Sequence, residues 1–396
     1  MTILRNMRLE LATILLLGCC AVLADDGNLD ITGHSKLRGT LQTFPDDSLF
    51  RDLLGKQAAA AGGELRLNLE WNKRRWSVDA GYQLLLLHGD ELLQRPPTDD
   101  RRWFNLTDVI SEGGKNTAVH RLDRLFISYA SEKAVVLFGR QALSWGNGMF
   151  YAPMDLVNPF DPATIDTEYK TGDDMLYTQY LQDNGNDIQG AVVIRRNLLS
   201  GDVESDQGTV AVKYHGFSGE REYDLLLAES YGDLVIGAGM AGSLGGAAWG
   251  ADLVWTDADD DQYVQLVANL SYSWMGWDRN MSGAIEYYYN GNSNDIEQIA
   301  RGQLFGLGRH YLAGSIMFEM TPLWTLTPTL LCNVEDPSAL LQIQTGYSLS
   351  DNATFLGSVN LPVGGNGTEF GGLDSGIPGR YLSTGAGLFA QIAWYF

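Results

Sequence analysis

Cysteine, proline, histidine and basic charge are all scarce in this chain. Two of the three cysteines, Cys19 and Cys20, lie near the start, so Cys332 alone stands beyond residue 24. A disulfide framework is thereby excluded. CxxC, CxxCH and HExxH patterns are absent, so no metal site of those kinds, no covalent haem and no other cofactor is expected. Lys and Arg number 27 against 49 Asp and Glu, for a formal net charge of −22. Such acidity argues against nucleic acid as a partner. The five histidines, His34, His88, His120, His215 and His310, stand in no nucleophile or metal motif. No catalytic residue is expected. Beyond residue 24, no apolar run is long enough for a transmembrane helix.

What is present points out of the cytoplasm. Arg5 and Arg8 precede an apolar stretch from Leu11 to Leu23, and Val22-Leu23-Ala24 forms a small-residue cleavage site. That order describes a bacterial secretory signal over residues 1–24, leaving a mature chain 25–396. A rival reading takes Leu16-Leu17-Gly18-Cys19 as a lipoprotein site that leaves Cys19 lipidated. The mature part holds abundant glycine, tyrosine and tryptophan, in short runs that alternate with a period of two. Leu65, Leu67, Leu69 and Trp71 alternate with Glu64, Arg66, Asn68 and Glu70, and Val264 through Trp274 alternates with Gln265 through Ser273. A period of two means strands with unlike faces. Charged and amide residues line one face so persistently that an aqueous interior fits better than a packed second layer.

About eighteen such runs can be counted, with sixteen as the other even possibility, and tight connections alternate with long ones. The long segments 42–62, 88–118, 142–171, 291–309 and 363–379 fall on one end, and glycine blurs the boundaries over 231–246. The expected architecture is all-β: a transmembrane antiparallel barrel in a bacterial outer membrane, with lipid as its surroundings. Tyr287, Tyr288, Tyr289, Trp274 and Trp277 read as interface girdle residues. The final run, 380–396, ends "LFAQIAWYF" and is expected to pair with the first strand, leaving no edge. Ile392, Trp394 and Phe396 resemble the C-terminal pattern that barrel assembly machinery recognises in outer-membrane proteins.

Taking the apolar set of each strand as lipid-facing leaves Glu64, Arg66, Glu70, Arg75, Asp79, Arg124, Arg195, Lys213, His215 and Glu286 as pore-lining charges. They would set a transverse field across the lumen or neutralise one another. Asp257, Asp259, Asp260 and Asp261 form an acidic outer loop, a solvated turn or a divalent-cation site. Segment 142–171 is the candidate constriction loop. Pro153, Pro159 and Pro162 stiffen it, Gly146 and Gly148 allow tight backbone, and Trp145, Asn147, Asp155, Asn158, Asp161, Glu168 and Lys170 supply its polar and aromatic contacts. Asp155, Asp161 and Glu168 with Lys170 are expected to face the channel.

That region also carries a resemblance. Gly139-Arg140-Gln141, Trp145-Gly146-Asn147-Gly148, Pro153, Asp155 and Asn158-Pro159-Phe160-Asp161-Pro162 resemble the corresponding stretch of alginate-export-type porins and related porin-like barrels. The resemblance implies a porin fold and passage of a solute. The acid-rich composition departs from the strongly basic lumen that a polyanion exporter needs. Three functions of different class therefore stand: a porin-like channel for small polar or charged solutes, a barrel sleeve housing a multihaem cytochrome, and an outer-membrane enzyme.

Overall fold

The computed structural model describes residues 27–396 apart from 91, 92, 259, 260 and 294. The expected signal segment with Cys19, and Asp259 and Asp260 of the acidic loop, lie outside the described residues. Strands run in the order β1 (Asn28–Thr43), β2 (Gln57–Lys73), β3 (Trp76–Gly89), β4 (Thr107–Gly113), β5 (Asn116–Ala130), β6 (Ala134–Gln141) and β7 (Asp173–Leu181). They continue as β8 (Asp187–Val193), β9 (Thr209–Ser218), β10 (Arg221–Ser230), β11 (Asp233–Leu244), β12 (Ala247–Asp257), β13 (Gln262–Gly276) and β14 (Arg279–Asn290). The last are β15 (His310–Thr321), β16 (Trp324–Asn333), β17 (Ser338–Ser350), β18 (Ala353–Val363), β19 (Leu373–Asp374), β20 (Tyr381–Leu382) and β21 (Gly387–Tyr395).

Eighteen of these form a closed antiparallel barrel, each pairing with its neighbours in sequence. Closure comes from β21, which pairs with β18 on one side and with β1 on the other, from His34 opposite Tyr395 to Gln42 opposite Gly387. Gly33 and Phe396 exchange backbone hydrogen bonds of 2.8 and 3.0 Å just past that ladder. No edge is left in the ring. β4 adds to the upper part of β5, above the end of β6. β19 and β20 make a small hairpin in the last long loop.

Every connection at one end is tight, as the sequence predicts, while the other end mixes long segments with the short turns 231–232 and 334–337. The tight end holds the connections 74–75, 131–133, 182–186, 219–220, 245–246, 277–278, 322–323 and 351–352. Two of them, Gly245-Gly246 and Trp277-Asp278, hold both central residues at positive φ, the hairpin geometry that matches strand twist. At the other end lie the long segments 44–56, 90–115, 142–172, 194–208, 291–309 and 364–386. Three expectations shift here. β2 begins at Gln57, so the first loop is shorter than 42–62: Ala58 to Gly63 show no alternation but pair with Gln42 to Leu37. Segment 88–118 contains a strand, and the final strand starts at Gly387 rather than at 380.

The barrel inverts the usual distribution of polarity. Outward residues such as Leu225, Leu227, Ile285 and Leu312 are exposed, while inward Lys36, Arg66, Lys213, Asp252 and Glu286 are buried. An apolar belt of this extent is what a lipid-facing wall requires. Tyr287 lies on it, but Tyr288 is buried facing the lumen, a correction to its reading as girdle: strand period two turns the middle residue of three inward.

Candidate functional site

The segment between β6 and β7 turns into the barrel and runs along its inner wall. It starts at the β8–β9 side, where the Trp145 indole N–H donates to Gln189 at 2.7 Å and Lys213 lies 5.9 Å from the Trp145 ring. Asn147 then binds Asp252 of β12 twice: its backbone N–H donates to Oδ2 at 2.6 Å and its amide to Oδ1 at 2.7 Å. Asn269 of β13 donates to the Asn147 carbonyl at 2.7 Å. Glu286 of β14 receives three successive backbone N–H groups, Met149 at 2.6 Å, Phe150 at 3.1 Å and Tyr151 at 2.7 Å. Charge-assisted bonds of this kind are about twice as strong as neutral ones.

The path continues around the wall. The Tyr151 ring stacks on Tyr288 at 4.6 Å and approaches Tyr311 at 5.2 Å. Gln342 and Gln344 of β17 donate to the carbonyls of Ala163 and Ile165, each at 3.0 Å. Gln391 of β21 donates to Asp166 at 2.9 Å, and Tyr395 donates to Glu168 at 3.1 Å. Lys36 of β1 reaches Asp166 and Glu168, both at 2.7 Å. The Arg66 guanidinium of β2 sits 3.8 Å over the Tyr169 ring and is bidentate to Asp123 at 2.7 and 2.8 Å. Arg124 of β5 closes the circuit on the Lys170 carbonyl. The loop is a ring inside the barrel.

Local sequence explains why the loop can lie so close. A Cβ on Gly239 of β11 would stand 2.6 Å from Asp252 Oδ1 and 2.8 Å from Asn147 Nδ2, and one on Gly250 of β12 would stand 3.0 Å from Asn147 Cβ. The glycines that blur the sequence near 231–246 are part of the bed on which the loop rests. Within the loop, Gly146 has φ +94° with Met154 Cβ 3.0 Å from where a side chain would begin, a conformation glycine alone adopts freely.

Inside the loop, Asp155 and Lys170 pair at 2.5 Å, and Lys170 also donates to Ser144 Oγ at 2.9 Å and to the Leu143 carbonyl. Burial pushes the Asp155 carboxyl up to about 6, with Lys170 opposing the rise. Burial also pulls the Lys170 ammonium below its ordinary value, against the pull of Asp155. Burial would raise Asp166 too, but the hydrogen bond and charge of Lys36 outweigh it and hold the group low. Asp155 and Lys170 therefore face each other, not the channel as expected, while Asp161 and Glu168 stay exposed. Asn158 sits at φ +49° with its amide 3.5 Å from the Thr171 carbonyl.

Most of the predicted pore-lining charges do sit on the inner face, and most are already paired. Glu64 meets His34 at 3.3 Å, while Lys213 and His215 share Asp224 at 3.2 and 2.9 Å. This favours mutual neutralisation over an unbalanced transverse field. Glu70 and Asp79 lie in register on β2 and β3, towards the tight-turn end. Two residues are misplaced by the sequence reading. Arg75 lies in the exposed turn between β2 and β3, and Arg195 lies beyond the end of β8, buried against Asp173 at 2.7 Å. Each stands just outside a strand end, since β3 starts at Trp76 and β8 stops at Val193. The reading missed Lys36, Asp252 and Asn269, all legible at inward positions, and Asp123. That last residue is the extra one at the register shift opposite Gly81 and Tyr82, between the paired Leu122 and Arg124, which no alternation rule anticipates. Among the described residues no cluster of three or more His, Cys, Asp or Glu is placed to hold a metal ion.

No family model and no curated protein matches the sequence, so the alginate-export-type resemblance is not matched at family level. Solved structures do match. OccK5 (OpdH) of Pseudomonas aeruginosa aligns with a TM-score of 0.57 at 9% identity, covering 93% of this chain and 98% of that one. OccAB1 of Acinetobacter baumannii gives 0.56 at 9% identity over 94% and 97% of the two chains. Wzi of Escherichia coli, described as an outer-membrane protein of capsule assembly and a carbohydrate-binding β-barrel, gives 0.53 at 11% identity over 96% and 87%. These neighbours are outer-membrane barrels, the first two of them porins. The likeness is one of fold.

Proposed function

We propose that this chain is an outer-membrane, porin-like channel for small polar or charged solutes, narrowed by the loop 142–171. One observation carries the reading: the loop is hydrogen-bonded along the inner wall from Gln189 to Arg124, so it forms a fixed belt within an aqueous lumen. The fold it shares with porins of known structure supports the same view, as does the apolar outer face. Beyond the belt, towards the tight turns, inward positions are small and hydrophilic, among them Ser271, Ser273, Ser282, Thr325, Thr327 and Ser348, a lining suited to water and solute. A cytochrome threaded through the barrel would have to break the belt's anchors, which speaks against the sleeve. In this reading lipid surrounds the barrel and the assembly machinery recognises Ile392, Trp394 and Phe396. The test is conductance of the purified chain in a planar bilayer. Wild type should pass ions, and a variant shortened over 146–162 should pass more. A folded barrel with no conductance would refute the channel.

A further inference from the structure

Above the belt, on the side of the long loops, lies a space whose chemistry the channel reading does not use. The belt residue Tyr151, the wall strands β10 to β14 and the segment Gln298–Phe305 enclose it. Counted with its opening to solvent it spans about 680 Å³, and its cavity volume is about 60 Å³. That is room for about four to six waters, roughly what a single sugar ring displaces. Its walls combine aromatic rings with amide and hydroxyl groups. Tyr151 and Tyr288, stacked within 8° of parallel, form an apolar side. Gln265 donates to the Tyr288 hydroxyl at 2.7 Å, and Gln298 donates to the Tyr263 hydroxyl at 2.6 Å. Each phenol is thus oriented by an amide before any solute arrives. The Gln303 amide and the Tyr151 hydroxyl, both at the cavity wall, make no hydrogen bond among the described residues.

We propose that this cavity is a vestibular binding site for a neutral, polyhydroxylated solute of about one sugar ring. Such a solute has an apolar face to lay on tyrosine and a rim of hydroxyls that both donate and accept, which matches fixed amides and phenols. An anion is disfavoured because no lysine or arginine lines the wall, whose ionisable acids are Asp233 and the Lys170-paired Asp155. The site deepens the channel reading by naming a solute class. It rests on that reading for the route of the solute, not for binding.

The experiment titrates the folded, detergent-solubilised barrel with D-glucose in a calorimeter, with glycerol and D-glucuronate as comparators. It is repeated for Gln303→Ala and Tyr151→Phe, and each protein is also run in a planar bilayer. Glucose should bind more tightly than either comparator. Each variant should weaken glucose about fivefold, the effect of one lost neutral hydrogen bond, with heat-modifiable migration retained. Glucose binding no better than glycerol, or equal affinity in wild type and both variants, would overturn the site. A wild-type barrel that conducts but ignores glucose refutes the site and leaves the channel standing. One that binds glucose with the expected variant losses but never conducts supports the site and refutes the channel.

Discussion

Glu286→Gln tests the belt at its strongest anchor while changing almost no volume. The carboxylate accepts three backbone N–H groups at 2.6, 3.1 and 2.7 Å, with the Asn269 amide at 3.3 Å. An amide keeps one acceptor oxygen and turns the other atom into a donor facing donors. At least one charge-assisted bond is lost, worth about 1.5–3 kcal/mol, and at least one buried N–H is left unpaired at a cost of about 1–3 kcal/mol. Detachment of 147–151 is then easier by about 3 kcal/mol, which at 1.4 kcal/mol per tenfold raises the detached population by roughly two orders of magnitude. The barrel ladder is untouched, so heat-modifiable migration should persist. Chymotrypsin should cut at Phe150 or Tyr151 far faster in the variant, and single-channel records should gain open-state noise and a higher mean current. Glu220→Gln, in an exposed turn, is the control. Equal cleavage and equal noise in Glu286→Gln and wild type would show that the carboxylate does not hold the loop.

Gly239→Val should displace the belt by crowding, since the first added carbon already lies 2.6 Å from Asp252 Oδ1; raised conductance in a folded barrel is expected, and unchanged conductance would count against the glycine bed. Asp155 gives the loop a pH dependence. Its folded value, about 6, lies above the ordinary carboxylate value, so the stabilisation is complete below about 4 and is lost as pH rises through the folded value. Asp166, held low by Lys36, stays charged across that range, so chymotrypsin cleavage of the loop should slow from pH 7 to pH 5; acceleration would contradict the sign. Arg66→Ala leaves the buried Asp123 with Arg124 alone, at 3.8 Å, and should cost up to about 3–5 kcal/mol in denaturant unfolding, whereas Arg66→Met with Asp123→Leu should recover most of it. An impermeant thiol label on whole cells should reach a cysteine placed at Ser375, and should reach one at Ser131 or Asn352 only after the outer membrane is opened; equal labelling would reverse the topology.

The strands were legible because one face of each is apolar and the other polar, and a barrel wall with lipid outside and water inside enforces that contrast at every position. Where the contrast fails, the reading fails with it. Ala58 to Gly63 carry little preference, and their strand exists because β1 lies alongside. The three consecutive tyrosines 287–289 look alike in sequence, yet the ladder sends the middle one to the belt. Asp123 lies beyond reach of alternation because it is itself the extra residue of a bulge, between the paired Leu122 and Arg124. Prolines and glycines in 142–162 do signal a loop of fixed shape, but its partners come from strands up to 227 positions away, as with Tyr395 and Glu168. Spacing along a chain carries no trace of such pairs. Even the functional charges were half legible: alternation gives which side they face, not which of them are already spent on each other.

The circuit of the belt also bears on mechanics. A barrel of many strands is a flexible tube, easily squashed towards an oval cross-section, because shear between neighbouring strands resists that motion weakly. Here one covalent segment is tied to the wall at points that face one another across the tube, from Trp145 and Glu286 on one arc to Lys36 and Arg66 on the other. Flattening the tube would stretch some of these ties and compress others together. The hoop sits inside the staves, and the calibre of the opening it frames is held by the same bonds that keep the staves round.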